Sequence, residues 1–231
     1  EETQKLQLLR ENIRNKEPLC KDLDDSTLGR FLRARDLDVE KASAMFLKYR
    51  RWRSSFVPDG TIDESQIQNE IAQNKMFCQG KDKNGCPVAV VLGSRHFARK
   101  QGVDEFKRFL VFALDKLCSS RVPEGQEKFT IIGDLQGFGY KNSDFHGYIA
   151  AISILQDFYP ERLGRVFVVR APFIFTALWK IICPFIDQNT KKKIVFVESD
   201  KLEATLSEDI DESQLPEMYG GNLQLVPIHN A

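Results

Sequence analysis

The stretch Val166-Phe-Val-Val-Arg-Ala-Pro-Phe-Ile-Phe-Thr-Ala-Leu-Trp-Lys-Ile-Ile-Cys-Pro-Phe-Ile-Asp-Gln-Asn-Thr-Lys-Lys-Lys-Ile-Val-Phe-Val-Glu198 decides the fold class. Val166–Arg170 and Lys193–Glu198 are short apolar runs of strand length, and Phe173–Cys183 between them has helix length. Two strands joined by a helical crossover lie parallel in one sheet. Neither run alternates apolar with polar residues, as expected of strands covered on both faces. The same rhythm recurs upstream. Val88–Leu92 reads as a strand, and Val103, Phe106, Leu110, Ala113 and Leu117 mark a helix. Phe129–Leu135 is a further strand and Asp144–Phe158 a further helix. The chain is thus α/β, with a mostly parallel sheet flanked by helices.

Ahead of this region, from Glu1 to about Gln79, the pattern is helical and charged. Ser26 is a candidate N-cap for a helix carrying Leu28, Phe31 and Leu32. Asp38 opens another, with the stripe Val39, Ala42, Phe46, Tyr49 and Trp52. Pro58-Asp59-Gly60 supplies turn chemistry at its end. The period changes after Asn84-Gly85. The expected division is a helical module over residues 1–79 and an α/β domain over 80–231.

Composition narrows the function. The 231 residues carry 33 Lys+Arg against 33 Asp+Glu, so 33 − 33 leaves no net charge. That argues against a nucleic-acid binder, which needs a basic footprint. With 42% hydrophobic and 29% charged residues, the chain reads as soluble and globular. No apolar run reaches the roughly 18–20 residues of a membrane span, since Thr176, Lys180 and Pro184 interrupt residues 171–186. Five cysteines without a C-x-x-C pair predict reduced thiols in an intracellular protein. The chain starts at Glu1-Glu2 rather than Met, so it reads as trimmed and organelle targeting stays open.

Enzyme motifs fail. There is no phosphate-binding loop and no nucleophile elbow, and Gly137-Phe-Gly139 lacks the third glycine of a dinucleotide fingerprint. His96, His146 and His229 do not stand at metal-ligand spacing. No metal and no catalytic residue is assigned. Asp134, at the carboxyl end of a strand, has two readings: a carboxylate that caps the following turn, or a catalytic acid.

Phe173–Cys183 is unusual because its apolar residues cannot share one face. As a helix it is about 16 Å long at 1.5 Å per residue. A helix apolar all round must be covered on both sides. Either it lies wholly in the core, or one face closes an apolar cavity while the other meets a membrane or the core. Trp179 and Lys180 suit a boundary between apolar and wet surroundings.

These residues carry a resemblance. Leu28-Gly-Arg-Phe-Leu-Arg-Ala-Arg35, Asp38-Val39 and Tyr49-Arg-Arg-Trp52 resemble the N-terminal helical module of CRAL-TRIO proteins. Tyr159-Pro-Glu-Arg-Leu-Gly164, Ala171-Pro-Phe173, Pro184-Phe-Ile-Asp187, Lys193-Ile194 and Leu215-Pro-Glu-Met-Tyr-Gly-Gly221 resemble the family's lipid-binding domain, in its order and spacing. The match runs from about Asp24 to Leu223. The family includes phosphatidylinositol transfer proteins and carriers of tocopherol and retinaldehyde.

The resemblance implies a cavity floored by the sheet and closed by a gate helix over Phe173–Cys183, in which Phe173, Phe175, Leu178, Trp179 and Ile182 face acyl chains. It implies a phosphatidylinositol headgroup held by Arg35, Tyr159, Glu161, Thr190 and Lys193, with Lys180, Lys191 and Lys192 meeting the membrane. Taken by themselves, Glu161 with Arg162 or Arg165 also reads as a structural ion pair, and Lys191-Lys192-Lys193 as a solvated turn. Asp36 stands where phosphatidylinositol transfer proteins carry Lys, and Phe129 and Ile131 stand where a hydroxyl pair holds phosphatidylcholine. The expected function is a lipid-binding and transfer protein, not an enzyme, that moves one lipid, phosphatidylinositol, between membranes. It is expected to be a cytoplasmic, peripherally membrane-associated monomer with no cofactor beyond the bound lipid and no nucleic-acid partner. The alternatives are a carrier of another hydrophobic ligand, a docking scaffold, and a hydrolase built on Asp134 or a histidine.

Overall fold

In the computed structural model, which describes residues 1–18, 20, 23–100, 102–119 and 127–231, the chain divides into two units. One comprises Glu1–Thr61 and Leu155–Glu161, the other Ile62–Ile154 and Arg162–Ala231.

The first unit is built on α1 (Glu2–Lys16), α2 (Asp25–Arg33) and α3 (Val39–Phe56). Leu9 and Ile13 of α1, Phe31 and Leu32 of α2, and Ala42 and Phe46 of α3 form its buried core. The cap of α2 is Asp24 rather than the expected Ser26; its carboxylate accepts from the Thr27 N–H at 2.7 Å. Ser26 instead accepts a hydrogen bond from Arg30. Asp38 caps α3 as expected, accepting from the Lys41 N–H. Between the helices, Asp36 and Leu37 both adopt left-handed backbone, with φ of 51° and 62°. Non-glycine residues resist that region, and packing of Leu37 against the core holds the reversal. Trp52 stacks on Phe158, ring centroids 3.9 Å apart.

The second unit runs α4 (Gln68–Ala72), β1 (Met76–Lys81), β2 (Pro87–Leu92), α5 (Val103–Ser119), β3 (Phe129–Asp134), α6 (Phe145–Phe158, whose last turn belongs to the first unit), β4 (Leu163–Val169), α7 (Phe173–Ile182), α8 (Gln188–Lys191), β5 (Ile194–Val197) and α9 (Leu202–Asp209). The sheet order is β1-β2-β3-β4-β5, parallel from β2 to β5 and antiparallel at β1. The α/β reading is therefore correct, with one strand more than expected. Met76–Gln79, read as the tail of the helical segment, is an edge strand paired to β2 through the turn at Asn84-Gly85. Its signal is masked by Gln79, a polar side chain that is nonetheless buried. Gln79 donates to the Gln224 carbonyl and accepts from the Val226 N–H, while the Cys78 N–H donates to the Val226 carbonyl. The C-terminal segment is thus stitched along the edge of β1.

The two sheet faces differ. On one, Val90, Ile132, Phe167 and Val169 are fully buried against Leu206, Leu215 and Tyr219. On the other, α6 and α7 lie over Val166, Val168 and Ile194.

Four ionisable groups are buried together in this unit. The Lys75 ammonium bonds Glu70, donates to Gln73 at 2.9 Å and to His96 Nδ1 at 2.8 Å, and lies over the Phe106 and Phe109 rings. An ammonium only donates, so Nδ1 must accept and the neutral ring carries its proton on Nε2, 3.1 Å from Asp144 Oδ2. Burial first, and then the Lys75 charge, push the imidazole from 6.5 down to about 4. Above pH 6.5 the ring is neutral whether the chain is folded or not. Between 6.5 and 4 the unfolded chain takes up a proton that the native state refuses, so stability falls as the pH drops through that window. The expected loss is on the order of 3 kcal/mol. Urea denaturation from pH 7 to 4.5 should show it. The His96→Gln variant, whose amide both accepts from Lys75 and donates to Asp144, should lack that part of the slope.

Candidate functional site

α7 is two-faced in a way its composition hides. Ile174, Phe175, Leu178, Trp179 and Ile182 turn toward the sheet and α6. Phe173 is 91% exposed and Ile181 53%, and Thr176, Ala177 and Lys180 share their outward side. The wholly buried core helix is therefore excluded. Phe173, grouped with the acyl-chain residues on resemblance, lies on the outer face. After α7 a short 3₁₀ turn, Cys183–Phe185, presents a half-exposed Phe185 against the ring of Phe145.

The layer under α7 is apolar but loosely covered. Leu135, Phe138, Val168, Leu178 and Ile182 are buried, whereas Tyr148, Ile149, Ile152, Val166, Phe175, Trp179 and Ile194 are only partly so. Phe175 meets Phe138 edge-on at 5.8 Å, and Trp179 meets Phe196, itself 48% exposed, at 5.0 Å. Protein interiors pack to crystal-like density. The side chains that stay only partly covered between this helix and the sheet fall short of such an interior.

The proposed headgroup residues fall in both units. In the first, Arg35 lies in the turn after α2 and donates to the Ala34 carbonyl at 2.9 Å. Asp36 beside it is exposed. Tyr159 is buried, edge-on to Trp52, and its hydroxyl accepts from Arg53 at 3.4 Å. Glu161 has φ of 57° and is half-buried. In the second unit, Thr190 and Lys193 share the turn that leads into β5. The Thr190 hydroxyl donates to Asp187 at 2.6 Å, and its N–H donates to the other oxygen of the same carboxylate. The Lys193 backbone is held by Thr190 and by Val166 of β4. Lys191 is half-buried and Lys192 exposed. On β3, Phe129 is fully buried and Ile131 half-buried, neither offering a hydrogen bond.

Asp134 has the turn-capping role. One oxygen accepts from the Gln136 N–H at 2.9 Å. The other bonds Arg170 and accepts from the Tyr219 hydroxyl at 2.8 Å. Burial and the Asp134 charge hold the Tyr219 phenol well above its usual range, so it stays a donor. Arg170 has φ of 52°, a strain on the order of 1 kcal/mol or more for a side chain of this kind. Among the described residues no group of three His, Cys, Asp or Glu is placed to hold a metal ion, and no helix is long and apolar enough to cross a membrane. The five cysteines are thiols.

Residues 71–221 match the family model described as CRAL/TRIO domain, and residues 2–48 match CRAL/TRIO, N-terminal domain. The chain belongs to the CRAL/TRIO family. Among its CRAL/TRIO relatives, the Sec14 cytosolic factor of Schizosaccharomyces pombe is 34% identical over 218 residues, covering 87% of this chain and 76% of that protein. The phosphatidylinositol transfer protein CSR1 of Eremothecium gossypii is 32% identical over 211 residues, 87% of this chain but 48% of that protein. The chain thus spans about half the length of this second relative. The crystal structure of Sfh5 superposes with a TM-score of 0.73 at 20% identity, covering 98% of this chain and 92% of that one, a likeness of fold.

Sequence reasoning missed part of the wall beneath the CRAL/TRIO chain's α7. Tyr148, Ile149 and Ile152 of α6, with Phe138 and Phe196, line it and were not singled out. A signal existed, because Ile149-Ala-Ala-Ile-Ser-Ile-Leu155 is apolar around most of the helix, just as α7 is.

Proposed function

We propose that this chain binds one lipid molecule against the half-covered apolar wall under α7 and exchanges it between membranes, without catalytic turnover. The carrying observation is α7 itself, with partly covered apolar side chains on its inner face and bare apolar side chains on the outer one. Burying a methylene is worth about 0.8 kcal/mol, so two acyl chains of some 30 carbons favour such a wall over water by on the order of 25 kcal/mol. A bilayer interior offers nearly the same environment, so exchange between the two is close to balanced.

The ligand proposed is phosphatidylinositol. Within the α/β unit its phosphodiester would meet Lys193. Its inositol hydroxyls would meet the lone pairs of Thr190, whose proton is already given to Asp187. Phe129 and Ile131 offer nothing to a choline headgroup. The name of CSR1 and that of the phosphatidylinositol/phosphatidylcholine transfer protein SFH12 of Arabidopsis thaliana, 32% identical over 211 residues and covered to 38%, support a phospholipid ligand. The outer face of α7, with Ile181, Phe185 and Lys180, is the proposed contact with a membrane, assisted by Lys191 and Lys192 at about 1 kcal/mol per charge. In this reading the protein acts in the cytoplasm as a monomer that visits membranes transiently.

Native mass spectrometry of the purified chain, followed by lipid transfer between vesicles, tests the proposal. A co-purified phosphoinositide is expected, together with transfer that collapses when Ile181 and Phe185 are both replaced by Glu. A neutral prenyl lipid in its place would replace the headgroup assignment. Neither bound lipid nor transfer would remove the proposal altogether.

A further inference from the structure

The passage from β4 into α7 is made by Arg170, Ala171 and Pro172, and Arg170 takes the left-handed backbone there. Proline fixes its own φ and restricts the residue before it, so the change of direction falls on Arg170. A left-handed arginine persists only where its surroundings impose it. Those surroundings lie outside α7. The guanidinium is ion-paired to Asp134 at the end of β3 and lies 5.0 Å over the ring of Tyr219 in the C-terminal turn. The Tyr219 hydroxyl bonds the same Asp134 oxygen, and both partners are 2% exposed. The clamp is incomplete, because Arg170 Nε is buried with no hydrogen-bond partner. At the other end of the segment that carries α7, Ile186 is buried and Asp187 caps α8 in ordinary extended backbone. The strained root is the one at Arg170.

We propose that Arg170 is a positioning residue: it is the pivot of α7, and its clamp by Asp134 and Tyr219 sets how often the flap over residues 171–186 lifts. The inference rests on the reading of α7 as a gate and adds what governs the gate. Opening rotates the Arg170 backbone toward its relaxed range and pulls the guanidinium off Asp134. Weakening the clamp therefore raises the open fraction.

Two variants test this with the whole chain. Tyr219→Phe removes one hydroxyl and keeps the ring. Arg170→Asn removes the ion pair while tolerating left-handed backbone. Hydrogen exchange followed by mass spectrometry should speed up across 172–186 about fivefold in the first and about tenfold or more in the second, with β2 and β3 little changed. Exchange of fluorescent phosphatidylinositol between vesicles should rise in the same order. Acceleration spread evenly over the sheet, or none in the flap, overturns the pivot and leaves the triad a plain structural tie. Local acceleration in a protein whose wild type exchanges no lipid keeps the pivot and removes the lipid reading instead.

Discussion

With Lys193 replaced by Ala, phosphatidylinositol transfer is expected to fall about 10- to 100-fold while transfer of an uncharged lipid barely changes. A hydrogen bond to a charged partner contributes about 1.5–3 kcal/mol, more than a neutral one, which is where the range comes from. The fold should survive, because the ties of this residue to Thr190 and to Val166 of β4 are made by its backbone. The Asp187 carboxylate nearby, held below the ordinary carboxylate range against its burial chiefly by hydrogen bonds from Thr190 and only lastly by the Lys193 charge, retains those hydrogen bonds. Vesicle assays run in parallel with phosphatidylinositol and diacylglycerol give the comparison, and Lys193→Arg should recover a good part of the loss. Equal losses for both lipids would show that the side chain supports the turn before β5 rather than a phosphate.

The largest expected effect on stability lies elsewhere, at Glu70. Its carboxylate and the Lys75 ammonium are 2% and 3% exposed and bonded to each other. Burial pulls the Lys75 pKa down while Glu70 opposes the shift. Glu70→Ala leaves a charge under the Phe106 and Phe109 rings with its directly bonded carboxylate gone and Gln73 and His96 as its remaining hydrogen-bond partners among the described residues. Breaking a buried pair from one side costs about 3–5 kcal/mol, whereas replacing both partners by apolar residues of similar volume is often neutral. Denaturant titration should therefore find Glu70→Ala severely destabilised and the Glu70→Leu, Lys75→Met double variant close to wild type. A double variant as unstable as the single one would mean that the polar contacts themselves, including the bond to His96, hold this corner of the unit.

The strands β2 to β5 and the helices α5, α6 and α7 were legible because each is set by a run of apolar residues of the right length. β1 was not, since Gln79 sits where an apolar residue is expected and is satisfied by backbone groups some 145 positions away. The cap at Asp24 was displaced by two residues because Asp24, Asp25 and Ser26 all have suitable side chains and only backbone geometry selects among them. The buried cluster of Glu70, Lys75, His96 and Asp144 had no motif to read, as its spacings follow from tertiary packing. At α7 the apolar content pointed to the right segment, but which side faces outward depends on the neighbours. Phe173 and Ile181 are as hydrophobic as Leu178, and nothing in the sequence distinguishes them. The proposed headgroup residues were reachable only through resemblance, since Arg35 and Lys193 are separated by most of the chain.

The stitching of residues 224–226 along β1 bears on how this protein can be handled. A strand at the border of a sheet offers its amides and carbonyls to any neighbour, and such borders seed self-association unless something occupies them. Here the occupant is the segment 224–226 of the same chain, tied by Gln79 and Cys78. Removing residues 224–226 would bare that border and favour edge-to-edge association, even though the face of the sheet under α7 is untouched.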